Sequence, residues 1–298
     1  MDHLSLGDVA IHRIEEWSGT FLSPQHLFAG FDDKEYQRVK DKVPATTLNV
    51  GNDEIYARLQ SWVIEIGGKK ILLDTGAGND KERPGIPLFG NLATPFMTRL
   101  AAAGFRADDI DMVICTHLHV DHVGWNTKLV DGEWLPTFPN AQYVFSSADA
   151  DYWNPDNRHK FPEKIGEAVN EGFFNDSVAP ILKRGMAQLV SGSVELMSGV
   201  HLDPAAGHTP GSMTIAVTGT KGGALFVGDI VHHPLQIFQP QWNSIFCEDQ
   251  TRARETRRHV LTRVAEENAV MIPAHFAEDH VVRVKKSGDG FVPDFAIF

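Results

Sequence analysis

The stretch Thr116-His117-Leu118-His119-Val120-Asp121-His122 follows the apolar run Met112-Val113-Ile114-Cys115. In a buried strand, residues two apart point the same way, so His117 and His119 should leave the carboxyl end of this strand side by side. Asp121 and His122 follow where the chain should turn, and they could offer a carboxylate and a third imidazole to a second cation. Imidazoles and carboxylates are ligands that zinc and similar divalent metals prefer. The stretch therefore predicts a metal site at a strand end.

The alternative interpretation is a chance group of surface histidines, or of histidines that are each satisfied in a core. A core would need a hydrogen-bond partner for every one of these polar atoms while it gained little apolar burial. We therefore favour metal binding for this stretch.

Three later segments each place one metal-capable residue where regular structure should end. His208 lies in the loop Gly207-His208-Thr209-Pro210-Gly211-Ser212, Asp229 follows the apolar run 223–227, and His275 follows Val270-Met271-Ile272. Open α/β sheets bind their ligands at the carboxyl ends of strands, so these segments should converge with the first one.

The convergent residues are more than one tetrahedral zinc ion can use, so the sequence predicts a dinuclear site. We assign the first ion to His117, His119 and His208, the second to Asp121, His122 and His275, and the bridging position to Asp229. Two cations about 3.5–4 Å apart can share a hydroxide whose parent water has a pKa lowered towards ~7. Hydrolysis would then need no serine or cysteine nucleophile. Two zinc ions are expected, with manganese, iron or cobalt as alternatives.

Other residues are predicted to support or cover the metals. Asp74 ends a β-hairpin formed by Ser61–Ile66 and Lys70–Leu73, and we expect it to orient a ligand imidazole; Thr209 is expected to support the site beside His208. The pocket walls should come from an arm at 21–31, an insertion at 151–176 and a loop at 232–246, which indicates a partly apolar substrate. The predicted substrate-binding residues are Phe28, Trp153, Phe173, His232 and Trp242.

Composition narrows the class of protein. The chain has 298 residues and 42% hydrophobic content, which favours a single domain over 1–298 with an N-terminal arm at about 1–45 and a lid insertion at about 151–176. A formal charge of -12 argues against nucleic acid as a partner. There is no signal-peptide pattern and no apolar stretch that could span a membrane, and two cysteines make no disulfide framework. A cytoplasmic location is expected.

Two helices and the C-terminal tail complete the prediction. One helix should start at a Thr94 cap and end near Gly104, and another should run from about Asp249 to Asn268. The arginines of the second helix are expected on a solvated face; they are Arg252, Arg254, Arg257, Arg258 and Arg263. The apolar tail at 291–298 should dock on the body or on a second subunit, so a homodimer is an open alternative.

The combined motifs resemble the metallo-β-lactamase superfamily. The resemblance rests on H-x-H-x-D-H at 117–122, the later His208, Asp229 and His275, and the strand end Asp74-Thr75-Gly76. It implies an α/β fold of the four-layer αββα type, with the dinuclear site at one edge of two sheets. It also implies catalytic roles for Asp121 and Asp229.

Departures within the superfamily narrow the activity. β-Lactamases of the commonest type have Cys where Asp229 stands, and diiron oxygen-reducing members have Glu where His119 stands. RNA-processing members usually carry an extra domain and a basic surface. A metal-dependent binding module on the same fold would be favoured if a ligand were missing, and none is. A redox protein would call for a flavin domain or an oxygen-tolerant iron site, and 298 residues leave no room for an added flavin domain. The chain is most similar to N-acyl-homoserine lactonases and methyl-parathion-hydrolase-like enzymes.

The run from Ala224 to His232 resembles the second of these groups, which also has His three residues after the bridging Asp. Lactonases often have Tyr there. The resemblance implies hydrolysis of a small, partly apolar lactone or carboxylic ester, with a phosphotriester hydrolase and a glyoxalase-type thioester hydrolase as alternatives. We predict that His232, with a pKa near ~6.5, donates a hydrogen bond to the oxyanion and a proton to the leaving alkoxide, and that its neighbour His233 faces away.

Overall fold

The computed structural model describes residues 2–49, 51–278 and 280–295. Its strands, in chain order, are β1 (His3–Ser5), β2 (Ala10–Thr20), β3 (Phe28–Ala29), β4 (Leu48–Asn49), β5 (Glu54–Ile66), β6 (Lys69–Leu73), β7 (Met112–Ile114), β8 (Thr127–Val130), β9 (Glu133–Pro136), β10 (Gln142–Ser146), β11 (Ala187–Val190), β12 (Val194–Met197), β13 (Val200–Pro204), β14 (Met213–Gly219), β15 (Gly222–Gly228), β16 (Asn243–Ser244), β17 (Val270–Pro273), β18 (Arg283–Ser287) and β19 (Gly290–Asp294).

The α-helices are α1 (Pro24–Leu27), α2 (Asp33–Val39), α3 (Phe96–Ala102), α4 (Ser147–Trp153), α5 (Ala179–Lys183), α6 (Leu235–Phe238) and α7 (Gln250–Glu267). Short 3-10 turns occur at Lys40–Lys42, Ala45–Thr47, Pro87–Phe89, Ala107–Asp109, Gly124–Asn126 and Pro155–Lys160, and a π turn covers Phe174–Val178.

Two sheets organise the fold. The first runs in the order β1-β2-β5-β6-β7-β10-β11, with β4 also paired to β5, and the second runs β12-β13-β14-β15-β17. The predicted hairpin is present as β5 and β6, and its turn residues Gly67 and Gly68 both have positive φ, as a type I′ turn requires. Strands β6, β7 and β10 are parallel neighbours, and β15 is parallel to β17. Their carboxyl ends therefore meet along one edge of the molecule.

Apolar side chains from both sheets pack against each other and form the central core, in which Ile64 and Ile71 of the first sheet meet Ile215 and Phe226 of the second. A second cluster joins the outer face of the first sheet to α3, α4 and α5, and a third joins the outer face of the second sheet to α7. The order of layers is therefore helix, sheet, sheet, helix, as predicted.

The predicted helices are present, with two corrections. Helix α3 begins at Phe96 without a side-chain cap, because the Thr94 hydroxyl donates instead to Glu16 Oε1 at 3.3 Å and to Asn79 Oδ1 at 3.1 Å. Helix α7 occupies the predicted range, with Asp249 as its N-cap, but Arg257 is fully buried rather than solvated. Its Nε donates to the carbonyl of Ile230, and its Nη1 donates to the carbonyls of Pro240 and Trp242 and to Asn243 Oδ1, so two of the three guanidinium nitrogens are satisfied in the described structure.

The predicted arm at 1–45 divides into two parts. Residues 3–20 contribute β1 and β2 to the first sheet, and this corrects the prediction of an arm from the first residue. From Phe21 onward the segment packs as a separate apolar cluster that includes Leu27, Tyr36 and Val39. At the other end, Phe291 is buried in the cluster beside α7, while 296–298 of the predicted docking tail lie outside the described residues.

Within the described ranges, every helix is too short or too polar to cross a membrane.

Candidate metal centre and substrate cleft

The predicted metal ligands come from the edge where the parallel strands end. The stretch 117–122 follows β7, Asp229 follows β15, and His275 follows β17. His208 lies in the loop between β13 and β14. These four segments are far apart in the chain, and the fold brings their side chains into one buried group.

Asp229 lies at the centre of this group. Its Oδ2 is 3.3 Å from His208 Nε2 and 3.9 Å from His117 Nε2. Its Oδ1 is 3.3 Å from His122 Nε2 and 3.0 Å from His275 Nε2. The two carboxylate oxygens therefore face two different sets of imidazoles, which is the arrangement that a bridging ligand needs.

The remaining two predicted ligands complete these sets. His119 Nδ1 lies 3.0 Å from His208 Nε2, and the ligand atoms of His117, His119 and His208 could share one ion. Asp121 Oδ2 lies 3.6 Å from His275 Nε2, and Asp121, His122 and His275 form a second such group.

The nitrogens on the far sides of the rings have hydrogen-bond partners. His122 Nδ1 is 3.0 Å from Asp74 Oδ2, as predicted for Asp74, and the same carboxylate accepts from the Thr116 amide at 2.7 Å. His275 Nδ1 is 2.9 Å from the Arg58 carbonyl oxygen, and His117 Nδ1 is 3.1 Å from Thr116 Oγ1. These contacts orient the rings with Nε2 inward.

Several of the polar atoms that face inward lack hydrogen-bond partners in the described structure. Nε2 of His117 and His122 and Oδ1 of Asp229 are buried and make no hydrogen bond. Buried polar atoms without partners are costly, and a divalent cation would satisfy all three. Nitrogen and carboxylate donors suit borderline divalent metals. The residues therefore fit a divalent metal site.

The protonation states of Asp229 and of the imidazoles around it depend on one another. Burial opposes the ionised form of Asp229, yet the imidazoles of His275, His122 and His232 hold the pKa of this carboxyl well below its ordinary value. Burial lowers the pKa of His117 well below its ordinary value, so this ring is neutral and has a lone pair to give to a metal.

A cleft opens above the group and has mainly apolar walls. Its empty space, open mouth included, is about 660 Å³. Asp121, Asp229 and His275 lie at its base together with His232. The apolar walls are formed by Trp17, Phe21, Leu27, Ile55, Leu59, Ile86, Phe89, Val169 and Phe246.

Most of the predicted substrate-binding residues do not line this cleft, which corrects the sequence-based prediction. Phe28 and Trp242 are buried against each other in the cluster formed by the segment after Phe21, with ring centroids 6.0 Å apart. Phe173 packs on Trp153, and the ring centroids of Trp153 and His119 lie 5.4 Å apart. Aromatic composition alone could not distinguish these core residues from wall residues.

His232 is the predicted substrate-binding residue that does line the cleft. Its Nε2 lies 3.2 Å from Asp229 Oδ2, and burial lowers its pKa to about 4. His233 faces away, as predicted, with Nε2 3.1 Å from the Thr47 carbonyl oxygen. The ordinary pKa assumed from sequence for His232 is therefore not retained, and its ring is neutral at pH 7.

Residues 60–275 match the sequence profile described as the metallo-beta-lactamase superfamily. The chain belongs to this superfamily. It is therefore an enzyme, a metal-binding hydrolase with the sandwich fold described above. Comparison with curated proteins finds no match of similar sequence.

Several solved structures resemble the whole chain. Hydrolase AbOPH superposes with a TM-score of 0.82 at 22% identity, covering 98% of this chain and 95% of its own. The dizinc quorum-quenching lactonase AidC, in complex with the product N-hexanoyl-L-homoserine, gives 0.81 at 21% identity, with coverages of 99% and 97%. A probable metal-dependent hydrolase from Staphylococcus aureus gives 0.76 at 16%, with 99% and 100%. At these identities the likeness shows the fold alone.

Several residues that sequence analysis missed support the superfamily site. Asp149 follows β10 and accepts from the Leu118 amide at 2.9 Å and the Gly211 amide at 2.6 Å. Asn170 Oδ1 accepts from the Val120 amide at 2.9 Å. The position of Asp149 just after an apolar strand was a usable signal, whereas Asn170 lies in a segment without a clear pattern. Thr209 was predicted to support the site beside His208, and its hydroxyl donates to Asp149 Oδ2 rather than to a ligand ring.

Glu16 is a second carboxylate that sequence analysis missed. It accepts from the amides of Ala77 and Gly78 at 2.6 and 3.0 Å and from Trp125 Nε1 at 2.6 Å. It therefore ties the loop after Asp74 to the turn that follows the H-x-H-x-D-H stretch.

Two buried cations join the predicted lid segment at 151–176 to the loop that carries Ile86 and Phe89. Arg83 donates to both carboxylate oxygens of Asp176, at 2.6 and 2.9 Å, and Lys81 Nζ lies 3.4 Å from Oδ1. Ile86 and Phe89 of the cleft wall belong to the same loop as these cations. The ion pair therefore holds this loop against the segment.

Proposed function

We propose that this enzyme is a dinuclear zinc hydrolase that opens a small, partly apolar lactone or carboxylic ester. The observation that carries the proposal is the position of an apolar cleft directly above the buried histidine and aspartate group. A polar substrate would leave unsatisfied groups against such walls, whereas an acyl chain would gain by losing contact with water.

The proposed ligands form two sets that share one carboxylate. His117, His119 and His208 would hold one ion, Asp121, His122 and His275 the other, and Asp229 would hold both. Bound there, the ions would supply an activated water and polarise the substrate carbonyl.

The chain's own residues have three tasks in this proposal. The apolar walls exclude water and orient the acyl chain, with Phe21, Phe89 and Phe246 as the large surfaces. Asp74 and the Arg58 carbonyl hold ligand rings in place. His232, neutral at pH 7, offers an N–H to an oxyanion that forms at the base of the cleft.

The test compares substrate classes on protein that has been stripped of metal and then reloaded with zinc. Lactones and alkyl esters with acyl chains of two to ten carbons should be hydrolysed, with kcat/KM rising with chain length, and activity should disappear on chelation. Turnover of phosphotriesters alone would favour a phosphotriester hydrolase instead. Turnover of thioesters alone would contradict both.

A matched pair of variants distinguishes the loss of substrate binding in the cleft from a general loss of stability. Phe246→Ala removes a partly buried wall residue, and Ile245→Ala removes its exposed neighbour, which does not line the cleft. Loss of one buried aromatic contact should lower kcat/KM for long acyl chains by about 10-fold, with little effect on acetyl esters. An equal loss on both chain lengths would contradict the role of the cleft in binding the acyl chain.

A further inference from the structure

A buried thiol lies behind one of the proposed metal ligands. Cys247 is fully buried, and its Sγ is 3.5 Å from His208 Nδ1. The next two residues fix this contact, because the amides of Glu248 and Asp249 donate to the carbonyls of His208 and Gly207, both at 2.9 Å. The thiol is therefore held against the ring by backbone pairing and not by its side chain alone.

His208 differs from the other ligands that face Asp229 through Nε2. The far nitrogens of His117, His122 and His275 each meet an oxygen, from a hydroxyl, a carboxylate and a carbonyl. For the far nitrogen of His208, the neighbour in the described structure is the sulfur of Cys247.

We propose that Cys247 is a positioning residue for the metal site, in which its sulfur accepts the Nδ1–H of His208. The inference rests on the proposed role of His208 as a metal ligand and extends it to the residue behind it. A neutral imidazole carries one proton, and the acceptor at Nδ1 keeps that proton away from Nε2. The Nε2 lone pair then points at Asp229 Oδ2, 3.3 Å away, where the first ion would bind.

Loss of the acceptor has a specific consequence. The ring could then rotate or place its proton on Nε2, and either change opposes binding of the first ion. Removal of such an outer partner typically costs about 10–100-fold in metal affinity. The second set of ligands does not contact Cys247, so its affinity should not change.

The experiment is a zinc titration of metal-free protein against a chromophoric chelator, without substrate. Cys247→Ala should weaken one of the two zinc-binding events by about 10–100-fold, while Cys247→Ser, which keeps an acceptor, should restore most of the affinity. Cys115→Ala is the matched control, because it removes the other fully buried thiol, whose sulfur lies 3.8 Å from Asn126. Equal weakening in Cys247→Ala and Cys115→Ala, or none in either, would overturn the proposal.

Nitrogen-15 NMR of the histidine rings gives a readout that a purely structural role would not change. In zinc-loaded wild-type protein and in zinc-loaded Cys247→Ser, the Nδ1–H signal of His208 should lie at the downfield position of a hydrogen-bonded proton, and in Cys247→Ala it should move to the position of a proton without an acceptor. An unchanged Nδ1–H signal in Cys247→Ala would contradict the proposal. Because zinc alone is the probe, failure of the lactone or ester assignment would leave these results unaffected.

Discussion

Asp149 Oδ2 accepts a hydrogen bond from Thr209 Oγ1 at 2.8 Å. The same oxygen accepts from the Leu118 amide, between two ligands of the H-x-H-x-D-H stretch, and Oδ1 accepts from the Gly211 amide. One buried carboxylate therefore joins the loop that carries His208 to the loop that carries His117 and His119.

Asp149→Asn should destabilise this junction. An amide nitrogen cannot accept, so at least one buried donor among those three loses its partner, at a cost of about 1–3 kcal/mol. Urea unfolding of metal-free protein measures this change in the free energy of unfolding. Asp151→Asn, on the same helix but half-exposed, is the control and should change little. Equal stability of the two variants would contradict the role of Asp149.

Asp229→Asn and His275→Ala should affect metal content differently. The carboxylate of Asp229 faces both sets of imidazoles, whereas His275 belongs to one set. We expect the first substitution to weaken the binding of both ions and the second to empty mainly one site, as measured by elemental analysis after dialysis. The same loss from both substitutions would mean that Asp229 does not bridge.

His232→Ala should lower kcat by about 10²–10³ with metal content unchanged. Burial lowers the pKa of His232 to about 4, so at pH 7 a neutral N–H donates a hydrogen bond and no imidazolium proton is available. The loss should therefore be similar for alkyl and aryl esters. A much larger loss on alkyl esters would support the proton donor predicted from sequence. His233→Ala, which changes a ring outside the cleft, should retain kcat.

Glu16 should make stability depend on pH. Burial raises its pKa to about 7 from an ordinary 4.5, although the amides of Ala77 and Gly78 oppose the shift. Between pH 4.5 and pH 7 the folded protein keeps a proton that the unfolded chain has released. The stabilisation that this proton gives is therefore complete below pH 4.5 and is lost as the pH rises through 7. The change is on the order of 3 kcal/mol at most.

The measurement is urea unfolding at pH 5 and pH 8. Glu16→Gln cannot titrate, so the stability of wild-type protein relative to this variant should fall between the two pH values. Glu133→Gln, an exposed substitution, should preserve the wild-type pH dependence. An equal change in the free energy of unfolding between pH 5 and pH 8 in wild-type protein and in Glu16→Gln would show that Glu16 does not titrate in this range.

Much of the site could be predicted because it is local in the sequence. A carboxylate or an imidazole directly after an apolar run has few roles other than ligand binding at a strand end, and this pattern identified 117–122, Asp229 and His275. The same apolar runs and turns predicted individual strands and helix α7, whereas the arrangement of two sheets was implied by the family resemblance. These features depend on neighbours within a few residues.

The cleft could not be predicted in this way. Trp17, Phe89 and Phe246 come from three distant segments, and none carries a signal that separates a wall residue from a core residue. Phe28 and Trp242 are aromatic like these wall residues, yet they pack against each other. Arg257 was assigned to solvent because its carbonyl partners lie in a loop that only folding brings beside α7.

The sequence by itself determined which residues can bind metal and which strands present them, because ligand chemistry and strand periodicity are properties of short segments. Tertiary structure alone decided the partners behind each ligand ring, the apolar walls and the neutral state of His232. Those depend on burial and on contacts such as Cys247 with His208, which join residues far apart in the chain.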